Sequence, residues 1–96
     1  MPTHEELPRF LRDWQRLGPQ QRRAFVDALA LFISGLANQS FAPQLRVKRV
    51  QGEAGVWEIT WAPDGRATFA YGPEVLAGQP HIVWRRIGTH DIFRRP

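Results

Sequence analysis

The hydrophobic period of this 96-residue sequence changes once, near Pro43, and this change constrains the fold more than any other feature. Before Pro43 the apolar residues recur every three or four positions, as they do on one face of an α-helix. After Pro43 they alternate with polar residues, as they do in a β-strand. Helices and strands are therefore segregated along the chain. This order predicts an α+β protein in which helical stripes pack on one face of an antiparallel sheet.

Two amphipathic helices are predicted over about residues 6–37. The apolar stripes that define them consist of Leu7, Phe10, Leu11, Trp14 and Leu17 in the first, and of Phe25, Leu29, Phe32, Ile33 and Leu36 in the second. We expect the first helix to begin near Glu6–Pro8, because proline is tolerated in a first turn. Gly18 and Pro19 separate the helices, and Asn38 is the expected left-handed C-cap of the second. So short a joint predicts an antiparallel helical hairpin.

Three or four strands are predicted over about residues 45–88, as an antiparallel meander. The patterns behind this prediction are Leu45 and Val47 alternating with Arg46 and Lys48, a shared strand face of Trp57, Ile59 and Trp61, and a β-rich run from His81 to Ile87. The segment Pro63-Asp64-Gly65 is typical of a hairpin turn. We expect one domain over residues 1–96, in which the sheet face away from the helices carries many of the basic side chains.

Arginine dominates the charge of the chain. Thirteen basic and nine acidic residues give a net charge of +4, and residues 46–96 contribute +3 of it (eight basic minus five acidic). Such a balance fits a nucleic acid, an anionic membrane or an acidic protein as partner, and it fits solubility alone. The absence of cysteine excludes disulfides and thiolate zinc sites. Neither a signal peptide nor a membrane-length apolar run is visible, so we expect a cytoplasmic protein.

The order of these pieces resembles the RelE/ParE toxin superfamily, and within it the YafQ-like branch. The segments that carry the resemblance are Leu45–Gly52, Gly55–Ile59, the turn Pro63–Arg66 and the tail Ile87–Phe93, within a match over about residues 9–93. The resemblance implies a curved antiparallel sheet with a helical hairpin on one face. It also implies an endoribonuclease that cuts messenger RNA, on or off the ribosome, and an antitoxin protein that neutralises it.

Two departures from the family pattern shape the expectations. The family begins with a β-strand, whereas Met1–Leu7 is short and polar, so we expect that strand to be missing or truncated. Several family nucleases carry lysines on the strand that matches Trp57–Trp61, whereas this chain has Glu58 and Thr60. A histidine-based mechanism, without metal or cofactor, is therefore favoured over a lysine-based one.

The resemblance assigns catalytic roles to four residues. His90 is the expected general acid or base, since the reference pKa of histidine is near neutrality. Asp91 either orients the His90 ring or acts as an alternative base, and the same residues could instead form a polar turn. Arg66 matches a family arginine on the scissile phosphate, unless it is only a solvated hairpin residue. Glu58 is a second base or is paired with an arginine.

Six further residues are expected to hold RNA, namely Arg46, Lys48, Arg49, Arg85, Arg86 and Phe93. The first three form a basic strip that would position the phosphate backbone or simply protect a sheet edge. In a regular strand Arg85 and Arg86 lie on opposite faces, so only one of them faces RNA. Phe93 either stacks on a base or closes the core.

The leading functional hypothesis is therefore a toxin of a type II toxin–antitoxin system that cuts messenger RNA and stops translation. Two alternatives stay open at this stage. One is a non-catalytic ParE-like toxin that binds a protein such as DNA gyrase. The other is an inactive domain that only binds an antitoxin.

Overall fold

The computed structural model describes residues 2–96, which form five strands, two α-helices and two short 3-10 helices. The strands are β1 (Thr3–Glu6), β2 (Lys48–Arg49), β3 (Trp57–Ala62), β4 (Gly65–Gly72) and β5 (His81–Gly88). The α-helices are α1 (Pro8–Gln15) and α2 (Pro19–Asn38), and the 3-10 helices span Pro43–Leu45 and His90–Arg94. Prolines stand at the first position of both α-helices, where their missing N–H costs no hydrogen bond.

The five strands form one mixed sheet in the order β1-β5-β4-β3-β2. Strands β2 to β5 make the predicted antiparallel meander, and the predicted α+β class with a helical hairpin on the sheet is confirmed. The N-terminal strand is present, with four residues, so the expectation that it is missing is wrong. Strand β1 pairs in parallel with β5, from Thr3 opposite His81 to Glu6 opposite Trp84. Four residues are too few to show a period, and pairing with β5 is what makes them a strand.

An aromatic core joins the helices to the sheet. Phe32 packs against Phe69 and Trp84, with ring centroids 4.9 and 5.3 Å apart. Phe25 meets Trp84 edge-on at 5.4 Å, a geometry that aromatic pairs favour. The sheet face under α1 and α2 is hereafter the helix face. The opposite side is the tail face, because the 3-10 helix His90–Arg94 packs there on β4 and β5.

Two local predictions around the helix–sheet connection need correction. Asn38 is the last residue of α2, and the left-handed C-cap is Gln39, with φ of 55°. The alternation that begins at Leu45 does not start a strand there. Leu45 closes a 3-10 turn, Arg46 is left-handed with φ of 47°, and only Lys48–Arg49 pairs with β3. Leu45 is buried like a strand residue, which explains why periodicity alone misjudged it.

A β-bulge interrupts the regular alternation of β5. Thr68 on β4 pairs with Arg86, and the next residue, Phe69, pairs with Trp84, so Arg85 is the extra residue. Both Trp84 and Ile87 are consequently buried in the helix-face core, although they differ in parity. The assumption of a regular strand for Arg85 and Arg86 is therefore wrong.

Candidate active site

The β3–β4 hairpin and the segment after β5 meet at one end of the sheet. Arg66 lies opposite Gly88 in the β4–β5 register, so the Pro63-Asp64 turn lies beside the residues that follow Gly88. Nδ1 of His90 is 3.5 Å from Oδ1 of Asp64. The two side chains are 61% and 70% exposed, so a large substrate can reach both.

The 3-10 geometry of the tail sets the position of Phe93. Thr89 caps the 3-10 helix, because its Oγ1 accepts a hydrogen bond from the Asp91 main-chain N–H at 3.3 Å. Residues three apart lie one above the other in a 3-10 helix. The His90 and Phe93 rings accordingly meet nearly edge to face, with centroids 5.3 Å apart. Ile92 takes the buried position and leaves Phe93 half-buried beside His90.

Sequence reasoning did not anticipate the contact of Asp64 with His90. Asp64 was interpreted only as part of a turn, and nothing in the local pattern links it to a residue 26 positions later. Asp91 is exposed, and among residues 2–96 its carboxylate forms no ion pair. The structure thus brings Asp64, rather than Asp91, into contact with the His90 ring. The polar turn between two strong strands was the one available signal.

Arg66 braces the hairpin with only part of its guanidinium. Its Nη1 donates to the carbonyl oxygens of Ala62 at 3.2 Å, Pro63 at 3.3 Å and Gly65 at 2.9 Å. The residue is 8% exposed. Within residues 2–96 its Nε and Nη2 donate no hydrogen bond, so these N–H groups are left for a ligand.

Glu58 lies away from the other proposed catalytic groups. It belongs to a row across the tail face in which Lys48, Glu58, Thr68 and Arg86 are successive cross-strand partners. The residue is 8% exposed, and one carboxylate oxygen lies 4.0 Å from Nζ of Lys48. The ion-pair partner of Glu58 is thus a lysine rather than an arginine. The structure does not bring Glu58 into contact with His90.

The two arginines of β5 hold other parts of the chain. Arg86 donates from Nε and Nη2 to the Asp13 carboxylate at 2.6 and 3.1 Å, and from Nη1 to the Arg95 carbonyl at 2.9 Å. Arg85 donates from Nε to the main-chain oxygen of Pro96 at 3.1 Å. Both side chains therefore fix the tail against the sheet, and Arg86 also fixes α1.

The basic strip divides between two sides of the sheet. Lys48 shares the tail face with Glu58, and its side chain is 67% exposed. Arg49 pairs with Trp57 and lays its guanidinium 5.2 Å from the centre of that ring, toward the helix face. Arg46 is exposed in its left-handed turn. Among residues 2–96 Arg46 forms no ion pair and Lys48 has only its 4.0 Å contact with Glu58, so both can reach a ligand, whereas Arg49 is held against tryptophan.

The described part of the chain has neither a cluster of metal-ligating side chains nor a helix that could span a membrane. Residues 2–96 contain no group of three His, Asp or Glu side chains arranged to hold a metal ion. In the same residues, neither helix has the length and apolar character that crossing a membrane would need.

Comparison with known proteins shows the fold. No family model matches the sequence, and no curated protein matches it in sequence. A structure of the DinJ–YafQ complex from E. coli matches with a TM-score of 0.63 and 18% identity, over 95% of this chain and 96% of that chain. A YoeB/ParE toxin from Agrobacterium tumefaciens matches with a TM-score of 0.65 and 15% identity, over 92% of this chain and 98% of that chain.

A third solved structure has the same fold. The RelB–RelE antitoxin–toxin complex from Methanococcus jannaschii matches with a TM-score of 0.59 and 13% identity, over 93% of each chain. The chain therefore has the RelE-like toxin fold over nearly its whole length. The fold that the sequence resemblance implied is confirmed.

Proposed function

We propose that this chain is the toxin of a type II toxin–antitoxin system, and that it cuts messenger RNA in the cytoplasm without a metal ion. The contact between His90 and Asp64, at the exposed end of a RelE-like sheet, carries the proposal. Metal-independent RNA cleavage of this kind begins when the 2′-oxygen attacks the neighbouring phosphorus. It needs one group that accepts a proton and another that donates one.

The residues around His90 fit these requirements. His90 is the general acid or base, with Asp64 orienting its ring and Asp91 as the nearby alternative carboxylate. The unpartnered N–H groups of Arg66 stabilise the charge that develops on the phosphate. Phe93 offers an aromatic face beside the ring on which an unpaired base can stack. Glu58, Arg85 and Arg86 have partners elsewhere and act, in this proposal, by holding the sheet and the tail.

An exposed apolar groove beside the helices supports an antitoxin as protein partner. An apolar groove of about 260 Å³ runs between β1, α1 and α2. Along it Leu11 is 50% exposed, Val26 53% and Ile33 37%. Such a patch on so small a chain is typical of a surface that another protein covers. The structures with the same fold include two toxin–antitoxin complexes, which favours an antitoxin as that protein.

Induced expression in bacteria, with primer extension on a reporter messenger RNA, tests the proposal. We expect growth arrest and discrete cuts from the wild type, and no cuts from His90→Ala. His4→Ala is the matched control, because the His4 side chain is 65% exposed and lies on β1, outside the site. It should cut like the wild type.

Each other result points to a different function. Growth arrest without cuts in the messenger RNA would indicate a ParE-like toxin that acts on a protein such as DNA gyrase, rather than a nuclease. No arrest would leave an inactive domain that only binds an antitoxin. Equal loss of cutting in His90→Ala and His4→Ala would remove the assigned role of His90.

A further inference from the structure

A second cleft, distinct from the apolar groove, opens along the free edge of β3. Strand β2 pairs with β3 only at Trp57 and Glu58, so the later residues of β3 have no strand neighbour on that side. The space beyond is bounded by the middle of α2, by the Pro43–Leu45 turn and by the β3–β4 hairpin. Its volume is about 530 Å³. Small-molecule sites typically occupy roughly 300–1,000 Å³, so one nucleotide fits.

The floor of this β3-edge cleft is apolar. Ala28, Leu45 and Trp61 are buried in it, and Leu31 is 39% exposed at its side. The indole nitrogen of Trp61 is buried and, within residues 2–96, has no hydrogen-bond partner. Because that nitrogen has almost no accessible surface, Trp61 offers the cleft only the apolar part of its ring. An apolar floor of this kind suits a flat heteroaromatic ring.

The rim of the cleft carries one acidic and one basic side chain, which do not form an ion pair with each other. Asp27 on α2 and Arg46 after the 3-10 turn both line it, and both are exposed. In the described residues neither side chain forms an ion pair or hydrogen bond. The Gln44 amide and the Thr60 hydroxyl complete the rim. The cleft thus presents acceptors and donors together to a ligand that carries both.

Arg66 connects this cleft to the proposed active site. It lines the cleft and keeps Nε and Nη2 without partners, and it is two residues from Asp64, which contacts His90. A nucleotide whose base lay in the cleft would therefore have its phosphate near Arg66, on the hairpin whose turn contacts His90. A base there would be recognised by its edge, as in other complexes with unpaired RNA.

We propose that the β3-edge cleft binds the base of a nucleotide next to the cut phosphate, and that guanine is the base it prefers. Guanine presents two adjacent acceptors, O6 and N7, which a guanidinium such as that of Arg46 can bind together. It also presents an amino donor, which the Asp27 carboxylate can accept. This inference rests on the proposed nuclease function, and it assigns the sequence preference of that function to residues outside the catalytic group.

Nuclear magnetic resonance titration of the His90→Ala protein with the four nucleoside monophosphates tests binding directly. We expect saturable shifts with guanosine monophosphate at Asp27, Gln44, Arg46 and the Trp61 indole. We expect about ten-fold weaker binding for the other three, since a paired guanine contact discriminates by that order. Asp27→Ala, which removes the acceptor, should abolish the preference. Glu53→Ala, which removes an exposed acid outside the cleft, should keep it.

Mapping of cut positions separates this inference from the proposed function. Wild type and Glu53→Ala should cut beside guanine, and Asp27→Ala should lose about ten-fold of that preference. Unchanged cut positions in Asp27→Ala, or chemical shift changes only outside the cleft, would overturn the inference while the nuclease stands. Shifts in the cleft without any RNA cleavage would support the base site and remove the nuclease. Chemical shift changes in the cleft on addition of an antitoxin, but on addition of no nucleotide, would assign the cleft to the protein partner.

Discussion

At the scale of single residues, Asp13 holds together three parts of the chain. Its carboxylate accepts two hydrogen bonds from Arg86 and one, at 3.2 Å, from the main-chain N–H of Ile87. Asp13→Ala leaves the Arg86 guanidinium, 18% exposed, without its counter-charge. We expect the free energy of unfolding to fall by about 3 kcal/mol, the low end for a broken buried pair. Urea denaturation measures it.

Two variants control for this prediction. Asp13→Asn keeps an acceptor of the same shape, so we expect it to lose less than Asp13→Ala. Asp27→Ala removes an exposed carboxylate without an ion pair in residues 2–96, and its effect should stay within about 0.5 kcal/mol. Equal losses in Asp13→Ala and Asp27→Ala would mean that the Arg86 contact does not stabilise the fold.

Asp64 acts, in our proposal, through His90 rather than on RNA. The 3.5 Å contact is long for a hydrogen bond and both groups are exposed, so it contributes little to stability. Catalytic contacts often tighten when substrate binds. We therefore expect Asp64→Ala to lower the single-turnover cleavage rate about ten-fold, with the free energy of unfolding unchanged, and Asp64→Asn to restore part of the rate. A rate equal to that of the wild type would remove Asp64 from the mechanism.

At the scale of elements, β1 depends on one buried histidine. His81 lies between Thr3, whose Oγ1 is 2.7 Å from Nδ1, and Glu5, whose Oε1 is 3.0 Å from Nε2. His81→Leu removes both contacts while keeping an apolar fill. We expect the Leu7 amide, which donates to the Trp84 carbonyl at 2.9 Å, to exchange with solvent about ten-fold faster.

The control for His81→Leu is the same substitution at His4, the histidine on β1 itself. The His4 side chain is 65% exposed, so His4→Leu should leave hydrogen exchange at the Leu7 amide unchanged. The Phe69 amide, in the core, should also keep its protection from hydrogen exchange in both variants. Faster exchange at Phe69 and Leu7 alike would mean that the whole molecule is destabilised, and the proposed local tether would be wrong.

The β3–β4 hairpin needs glycine after its turn. A Cβ at Gly65 would lie 2.6 Å from two ring atoms of Trp61, a buried side chain that also packs on Phe25. Gly65→Ala must displace that ring, at a cost of about 1–3 kcal/mol in unfolding free energy. At Gly18, by contrast, the nearest atom is 3.8 Å away, so Gly18→Ala should cost less. Thermal melting of both variants decides, and equal midpoints would contradict the argument.

These elements show where sequence reasoning succeeds. Long periodic segments, such as α2 and β3, were predicted because their apolar faces are set by local spacing. Strand β1 and the bulge at Arg85 were missed, since both depend on pairing with distant strands. The site divides in the same way. His90 was proposed from its tail motif, whereas Asp64 comes into contact with it only through the sheet register. No local pattern contains that register.

At the scale of the whole molecule, the distribution of charge matters more than the net charge of +4. Lys48 stands exposed on the tail face of the sheet, whereas Arg12 stands exposed on a helix. Each phosphate contact to single-stranded RNA contributes a slope of about 0.7 to the dependence of log affinity on log salt. Replacing Lys48 with glutamine should therefore reduce the slope by about 0.7.

A helix arginine provides the matched control, because Arg12→Gln removes the same single charge. If RNA lies on the tail face, this control keeps the wild-type slope, since counterions are released only where phosphates are neutralised. Filter binding of a short RNA to both variants in a His90→Ala background, over a range of salt concentrations, measures both slopes. Equal reductions in the two variants would mean that RNA is held by overall charge alone. The tail face would then not be the RNA surface, and the active site proposed at the end of the sheet would have no neighbouring surface that holds the substrate.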